Sequence, residues 1–317
     1  MAALACALFT LALAGCQAAS TGPAPSVRYP RFEAISLAGR ELPRPELSDD
    51  RRAALEADLA AAERDLRRSP RDVEAHIWVG RRLAYLGRYR EAIDRYTASL
   101  RSFPESFKLL RHRGHRHLTL RHLDAAVNDL TRAAALARGV DDELEPDGAP
   151  NRWGIPRSTN QSNIYYHLGL AHYLRGEYGL AADIYNTCAS YAAVNDDMLV
   201  ATLYWQCNTA VRRGDPDAAR EFAALAHPDM HVIENHAYHR LLMAFAGGTS
   251  ETLLAELEPG TLDWISSAYG VSIAREAAGD RAGAQALREQ ILQTDFWPAF
   301  GYLAAEADLA RSPEPAR

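Results

Sequence analysis

Apolar residues recur every three or four positions along most of the chain, which is the spacing of one face of an α-helix. The first sustained stripe follows Ser48, a residue type that often begins a helix. It predicts an amino-terminal helix within 48–71 that ends near Arg68. The apolar positions of this stripe are Leu55, Leu59, Ala62 and Leu66. Similar stripes continue to residue 311, so the pattern predicts an all-α fold.

A longer period is superimposed on the helical one from residue 72. Gly80 and Gly114 are 34 positions apart, and so are Ala92 and Ala126. A small residue at such a position lets two helices approach closely, and a large residue four positions after the alanine can fill the gap between them. The spacing therefore predicts repeated helix-turn-helix units.

A third segment has the same internal spacing, because Gly169 and Ala181 are twelve positions apart, as in the first two units. The large residues that follow the three alanines are Tyr96, Leu130 and Tyr185. A 34-residue unit with this signature resembles the tetratricopeptide repeat. The resemblance implies a right-handed superhelical array of paired helices over 72–225.

The units after the third fit this pattern less well. Cys207 stands where the earlier units have glycine, and 226–311 resembles degenerate repeats that end in a capping helix, followed by a tail at 312–317. The closing segment 296–311 has apolar side chains on more than one face, which is expected of a terminal helix. The chain also resembles bacterial envelope proteins described only by their repeats, and that resemblance implies no activity.

An insertion of about twenty residues interrupts the regular spacing at 138–162, and long loops in compact folds are often functional. Calcium is one interpretation of its acids, but the alternating oxygen-ligand spacing of a calcium loop is absent. Trp153 and Pro156 favour instead a solvated loop that packs back on the array and partly covers one edge of its groove. The acids are Asp141, Asp142, Glu143, Glu145 and Asp147.

The amino terminus, MAALACALFTLALAGC, is an uncharged apolar run that is too short to span a bilayer as a helix. It ends in a sequence that resembles the bacterial lipobox, although no Lys or Arg stands near Met1. The resemblance implies an export signal over 1–16, a lipid on Cys16 and a membrane-anchored envelope protein. Gln17 implies the outer membrane, facing the periplasm, and 17–47 reads as a flexible tether. A buried amino-terminal helix is the alternative.

Composition narrows the functional classes only a little. The net charge of −6 argues against a general nucleic-acid binder, since such proteins carry a basic excess. Cys188 and Cys207 both fall on apolar helix faces, where a thiol behaves as a small hydrophobic group. They could pair in an oxidising compartment, but two separate buried thiols are the favoured interpretation.

Two histidine-rich stretches raise the question of a metal. In RHRGHRHLTLRH (111–122), only His112 and His115 share a helix face, whereas zinc takes three or four ligands. The second cluster, from His231 to His239, contains Glu234 but lacks the H-E-x-x-H spacing of zinc peptidases. We therefore predict neither a metal nor any other cofactor.

The family resemblance implies a concave groove that takes up peptides or extended protein segments. Cations, tyrosines and asparagines dominate the residues carried over by position, so an acidic or C-terminal segment suits the groove. The pattern departs from the carboxylate clamp of chaperone-binding relatives. The groove residues are Arg81, Tyr85, Lys108, Arg111, His115, Asn163, Tyr166, Tyr173, Tyr204, Asn208 and Arg212.

The sequence thus predicts a lipid-anchored scaffold that binds a protein or peptide partner, and no enzyme, because phosphate loops and nucleophile elbows are missing from it. Two alternatives stay open. One is a zinc-dependent envelope enzyme that uses the His231–His239 cluster. The other is a structural subunit of an envelope complex, which makes contact through its convex face or its acidic loop.

Overall fold

The computed structural model describes residues 29–148 and 151–311, and helices account for most of them. This confirms the all-α prediction. The helices are α1 Asp49–Arg68, α2 Val73–Tyr85, α3 Tyr89–Ser102, α4 Phe107–Thr119, α5 Leu123–Ala137, α6 Asn160–Leu174, α7 Tyr178–Ala192, α8 Asp196–Arg212, α9 Pro216–Ala224, α10 His236–Ala246, α11 Leu262–Ala277, α12 Arg281–Ile291 and α13 Phe300–Arg311, with a 3₁₀ helix at Ser250–Glu256.

Successive helices pack on one another as hairpins, from α2 with α3 to α11 with α12. The glycine of each of the first three hairpins faces the large residue predicted to plug it. A Cβ added at Gly114 would lie 2.7 Å from Leu130, one at Gly169 would lie 2.7 Å from Tyr185, and Gly80 is crowded by Tyr96 in the same way. The repeat signature therefore marks the closest approach of two helices.

The predicted start of the first helix is confirmed. Ser48 is the N-cap of α1 and its side chain accepts a hydrogen bond from the backbone N–H of Arg51, which satisfies one of the free donors at the helix start. Thr159 and Ser162 form a reciprocal capping box at the start of α6, directly after the inserted loop. Local polar residues thus fix where the loop ends.

Part of the predicted tether is folded, so that prediction is wrong for 32–43. Strands β1 Phe32–Ile35 and β2 Glu41–Pro43 pair antiparallel as a short hairpin. Glu33 is buried and accepts two hydrogen bonds from Arg44, at 2.8 and 3.0 Å. The sequence did not indicate these strands because the alternation of apolar and polar residues in so short a segment is a weak signal. The partner segment on which the hairpin packs also lies far away in sequence.

That partner is the carboxyl-terminal part of the chain. The indole N–H of Trp297 donates to the carbonyl of Pro43 at 2.8 Å, and the backbone N–H of Leu37 donates to the carboxylate of Glu306. Arg40 contacts the hydroxyl of Tyr302. The first and last described segments of the array therefore meet.

Helix α13 lies against the first helices of several hairpins, which explains its apolar residues on more than one face. It packs on α6 and α11 as well as on α12, and Gly301–Asp308 is buried throughout. The ring of Phe300 contacts His115, Tyr166 and His167 with centroid distances of 5.4, 6.1 and 5.6 Å. The closing helix thus fills part of the inner face.

The amino-terminal signal, Cys16 and the tail at 312–317 lie outside the described residues. Within 29–148 and 151–311, no helix is long and apolar enough to cross a membrane. Cys188 and Cys207 are both buried and free, in agreement with the interpretation of two separate thiols.

Candidate functional site

The predicted groove residues lie on α2, α4, α6 and α8, the first helices of successive hairpins, so the repeat pattern placed them on a common face. Most of them are covered by other parts of the chain. Arg111, Asn163, Tyr166, Tyr173, Tyr204 and Asn208 are buried, and Arg81, Tyr85, Lys108, His115 and Arg212 are half-buried. Two internal elements, the inserted loop and α13, provide the cover.

The inserted loop places a carboxylate among the predicted cations. The carboxylate of Glu145 lies 3.2 Å from Nε of Arg111 and 3.7 Å from both Nη1 of Arg81 and Nε2 of His112. The side-chain amide of Asn163 donates to it at 3.0 Å. Arg81, Arg111 and Asn163 therefore hold an acidic group, and that group comes from the chain itself.

Backbone contacts hold the loop in this position. The N–H of Glu145 donates to the carbonyl of Ser158 at 2.9 Å, and the N–H of Asn160 donates to the carbonyl of Glu143 at 2.9 Å. Lys108 bridges Glu74 and Glu143 at 3.0 and 3.5 Å. The loop thus covers one edge of the inner face, as the sequence predicted.

Three tyrosines of the list, Tyr166, Tyr173 and Tyr204, lie in the interior. The hydroxyls of Tyr173 and Tyr269 are 2.5 Å apart, and the hydroxyl of Tyr204 donates to the carbonyl of Ser266 at 3.0 Å. The indole N–H of Trp205 donates to the hydroxyl of Tyr166 at 2.8 Å. In this structure these side chains connect α6, α8 and α11.

Ion pairs secure α13 to the same face. Arg212 contacts Glu276 at 2.5 Å and also the carboxylate of Asp308. Arg121 lies in the turn between α4 and α5 and contacts Glu306 at 2.6 Å, with both side chains buried. A buried charge is tolerated only where it is paired, so these pairs commit part of the inner face to binding the chain's own helix.

The first histidine cluster is an interior one. The rings of His115 and His167 are 4.1 Å apart, and burial, followed by the nearby charges of Arg111 and Arg116, holds the pKa of His167 well below its usual range. Burial likewise holds the pKa of His112 well below its usual range. These imidazoles are therefore neutral at physiological pH.

The second histidine cluster is dispersed. The Nε2 of His239 lies 2.9 Å from the carbonyl of His227, and the backbone N–H of His231 donates to Asp196. In the described part of the chain, no three metal-ligating side chains come together. The residues proposed for a zinc enzyme are thus not assembled into a site.

One large cavity of about 1180 Å³ lies where the inner face of the first two hairpins meets the ends of the chain. Tyr85, Tyr89 and Arg116 line it from the array, and Trp297 and Tyr302 line it from the carboxyl-terminal part of the chain. The segment 40–47 closes a third side. Of the predicted groove residues, Tyr85 belongs to this cavity.

Arg116, on α4, was missed by the sequence analysis. Its guanidinium lies 5.5 Å from the ring centroid of Tyr89 and, among the described residues, has no carboxylate or hydrogen-bond partner. Burial lowers the pKa of this guanidinium. Arg82, one repeat earlier, contacts Asp58 at 3.1 Å, so the repeat position alone did not distinguish a paired from an unpaired arginine.

Comparisons with solved structures find helical-repeat proteins at low similarity. YrrB, described as a TPR protein with an unusual peptide-binding site, is 13% identical over 76% of this chain and 96% of its own, with a TM-score of 0.42. A tetratricopeptide repeat protein from Parabacteroides merdae is 14% identical over 81% and 93%, with a TM-score of 0.48. A putative kinesin light chain of Podosopora anserina with TPR-like repeats is 13% identical over 76% of this chain and 97% of its own, with a TM-score of 0.42.

No protein-family model matches the sequence, and the search of curated proteins finds no relative. The class of protein therefore rests on the repeat geometry described above. That geometry defines an all-α array of tetratricopeptide-type helical hairpins.

Proposed function

We propose that this chain is a scaffold that binds a segment of a protein partner in the cavity beside Tyr85, Tyr89 and Arg116. Helical arrays of this type bind through preformed surfaces. The inserted loop and α13 already cover much of the inner face. The observation that carries the proposal is the cavity itself, whose volume of about 1180 Å³ slightly exceeds the roughly 300–1,000 Å³ of small-molecule sites.

The lining of the cavity suits an extended polypeptide. Tyr85, Tyr89 and Trp297 belong to the lining, and aromatic residues of this type are enriched in protein interfaces. Phe296 is 44% exposed, so the site can be reached from solvent. The proposal assigns the cavity a binding role and no catalytic step.

Photocrosslinking tests this proposal in the full chain. A benzoylphenylalanine in place of Tyr85 would capture the partner in cells, whereas the same group in place of Tyr191, which does not line the cavity, would not. Capture at Tyr191 alone would favour the structural-subunit alternative, in which contact is made elsewhere on the array. Capture at neither position would contradict the scaffold proposal.

We also propose that the protein is anchored in the cell envelope by a lipid on Cys16 and faces the periplasm from the outer membrane. The apolar run that ends at Cys16 and the Gln17 that follows it support this proposal. Cys16→Ala is expected to abolish incorporation of a labelled fatty acid, and Cys188→Ala is the matched control. A labelled Cys16→Ala protein would refute the anchor.

A further inference from the structure

We infer that the cavity beside Arg116 binds a carboxylate group carried on an apolar segment of the partner. The inference rests on the proposed binding function and adds the chemistry of the ligand. Its basis is the juxtaposition of an aromatic wall, a volume that the described residues leave unfilled and a guanidinium that has no ionic partner among them.

The first step is the difference between Arg116 and three other arginines of the interior. Arg111 lies 3.2 Å from Glu145, Arg121 lies 2.6 Å from Glu306, and Arg157 lies 3.0 Å from Asp197. Each of these cations is neutralised by a carboxylate. Arg116 has no such partner in the described chain, although a partly buried charge is stabilised only when it is paired.

The second step concerns the acids near the cavity. Glu41, Glu46, Glu258 and Asp295 belong to the lining but are all exposed at its rim, and none contacts Arg116. They leave the guanidinium available to a ligand. Their negative charge also disfavours a phosphate, which carries nearly two charges, more strongly than it disfavours a single carboxylate.

The third step concerns the shape of the ligand. A guanidinium binds a carboxylate through two parallel hydrogen bonds, which fixes the orientation of the acid. Leu42, Leu55 and Trp297 also belong to the lining of the cavity and are apolar. A carboxylate joined to apolar side chains therefore fits better than an isolated small anion.

Such a carboxylate has two possible sources, a free chain end or an acidic side chain. Two hexapeptide pools distinguish them on the purified full-length protein. The first pool has free carboxyl termini and contains no Asp or Glu. The second has amidated termini and contains Glu at one internal position. A third pool, amidated and without acids, is the matched control. Mass spectrometry identifies the retained peptides.

Retention of the first or the second pool at least tenfold above the control pool is expected, and the pool that is retained identifies the source. Arg116→Gln should remove this preference. Arg116→Lys should retain part of it, because lysine keeps the positive charge but lacks the planar guanidinium that donates two parallel hydrogen bonds. Arg213→Gln, at an exposed turn position outside the cavity, should behave as wild type.

Equal retention of all three pools, unchanged in Arg116→Gln, would overturn the carboxylate inference and leave peptide binding intact. Retention of none would count against the proposed function as well. Circular dichroism of each variant separates loss of binding from loss of folding, and Arg116→Lys provides a second test should Arg116→Gln fail to fold.

Discussion

Individual charges in this interior differ in whether they have a partner, and stability should report that difference. Arg121→Gln would leave Glu306 buried without a counter-ion, and removal of one member of a buried ion pair typically costs about 3–5 kcal/mol. Arg116→Gln removes a charge that has no partner among the described residues, so the free energy of unfolding should fall by less than about 1 kcal/mol. Urea denaturation measures both variants, and equal losses would contradict the pairing described here.

The interior histidines give the protein a pH dependence of defined sign. The pKa values of His112 and His167 are held well below 6.5 by burial, so the unfolded state binds the proton first as the pH falls. Their contribution to the free energy of unfolding is complete above about pH 6.5 and is lost as the pH falls below it. For each histidine, the free energy of unfolding should fall by about 1 kcal/mol between pH 6.5 and 5.5. Urea denaturation at these two pH values checks this, with His167→Gln as the comparison. A pH-independent midpoint in the wild type would contradict the prediction.

At the level of single residues, sequence reasoning placed polar side chains on the inner face but did not find which parts of the chain cover them. Arg81, Arg111 and Asn163 were predicted to line a groove for an external segment, and in this structure they contact the chain's own Glu145. Whether an external ligand also reaches them stays a prediction. The fold of the inserted loop depends on contacts such as Glu143 with Asn160, which no local pattern encodes.

Within a hairpin, the small-to-large contact should dominate the stability of the helix pair. Gly169→Ala would place a methyl group 2.7 Å from the ring of Tyr185, and overpacking of this kind costs about 1–3 kcal/mol. Gly179→Ala, in the partner helix, meets no atom within 4 Å and should stabilise by up to about 1 kcal/mol. Thermal unfolding of both variants measures these changes in stability. A Gly169→Ala variant as stable as wild type would disprove the close approach of α6 and α7.

The turns between helices explain one failure of the repeat pattern. Gly87 and Gly176 end the first helices of their hairpins with positive φ of 71° and 77°. Arg121 stands one repeat after Gly87 and also has a positive φ, of 64°, although a side chain is disfavoured there. Its buried contact with Glu306 offsets that strain. The sequence showed the missing glycine, but the compensating partner is 185 positions away.

For the whole molecule, local periodicity predicted the helical fold, whereas the closure of the array was not predictable in this way. The hairpin at 32–43 and helix α13 fold through contacts with each other and with the inner face. Such contacts join residues that are hundreds of positions apart. The cavity exists only because these two ends meet, so its lining could not be deduced from single repeats.

The docking of α13 on the inner face can be tested with two phenylalanines of the same segment. Phe300 packs against His115, Tyr166 and His167, so Phe300→Ala should lower the free energy of unfolding by about 3 kcal/mol. Phe296 is 44% exposed, and Phe296→Ala should change the stability by less than about 0.5 kcal/mol. Urea denaturation measures both changes. If the two variants lost the same stability, α13 would not be held on the inner face, and the cavity beside Arg116 would lack one of its walls.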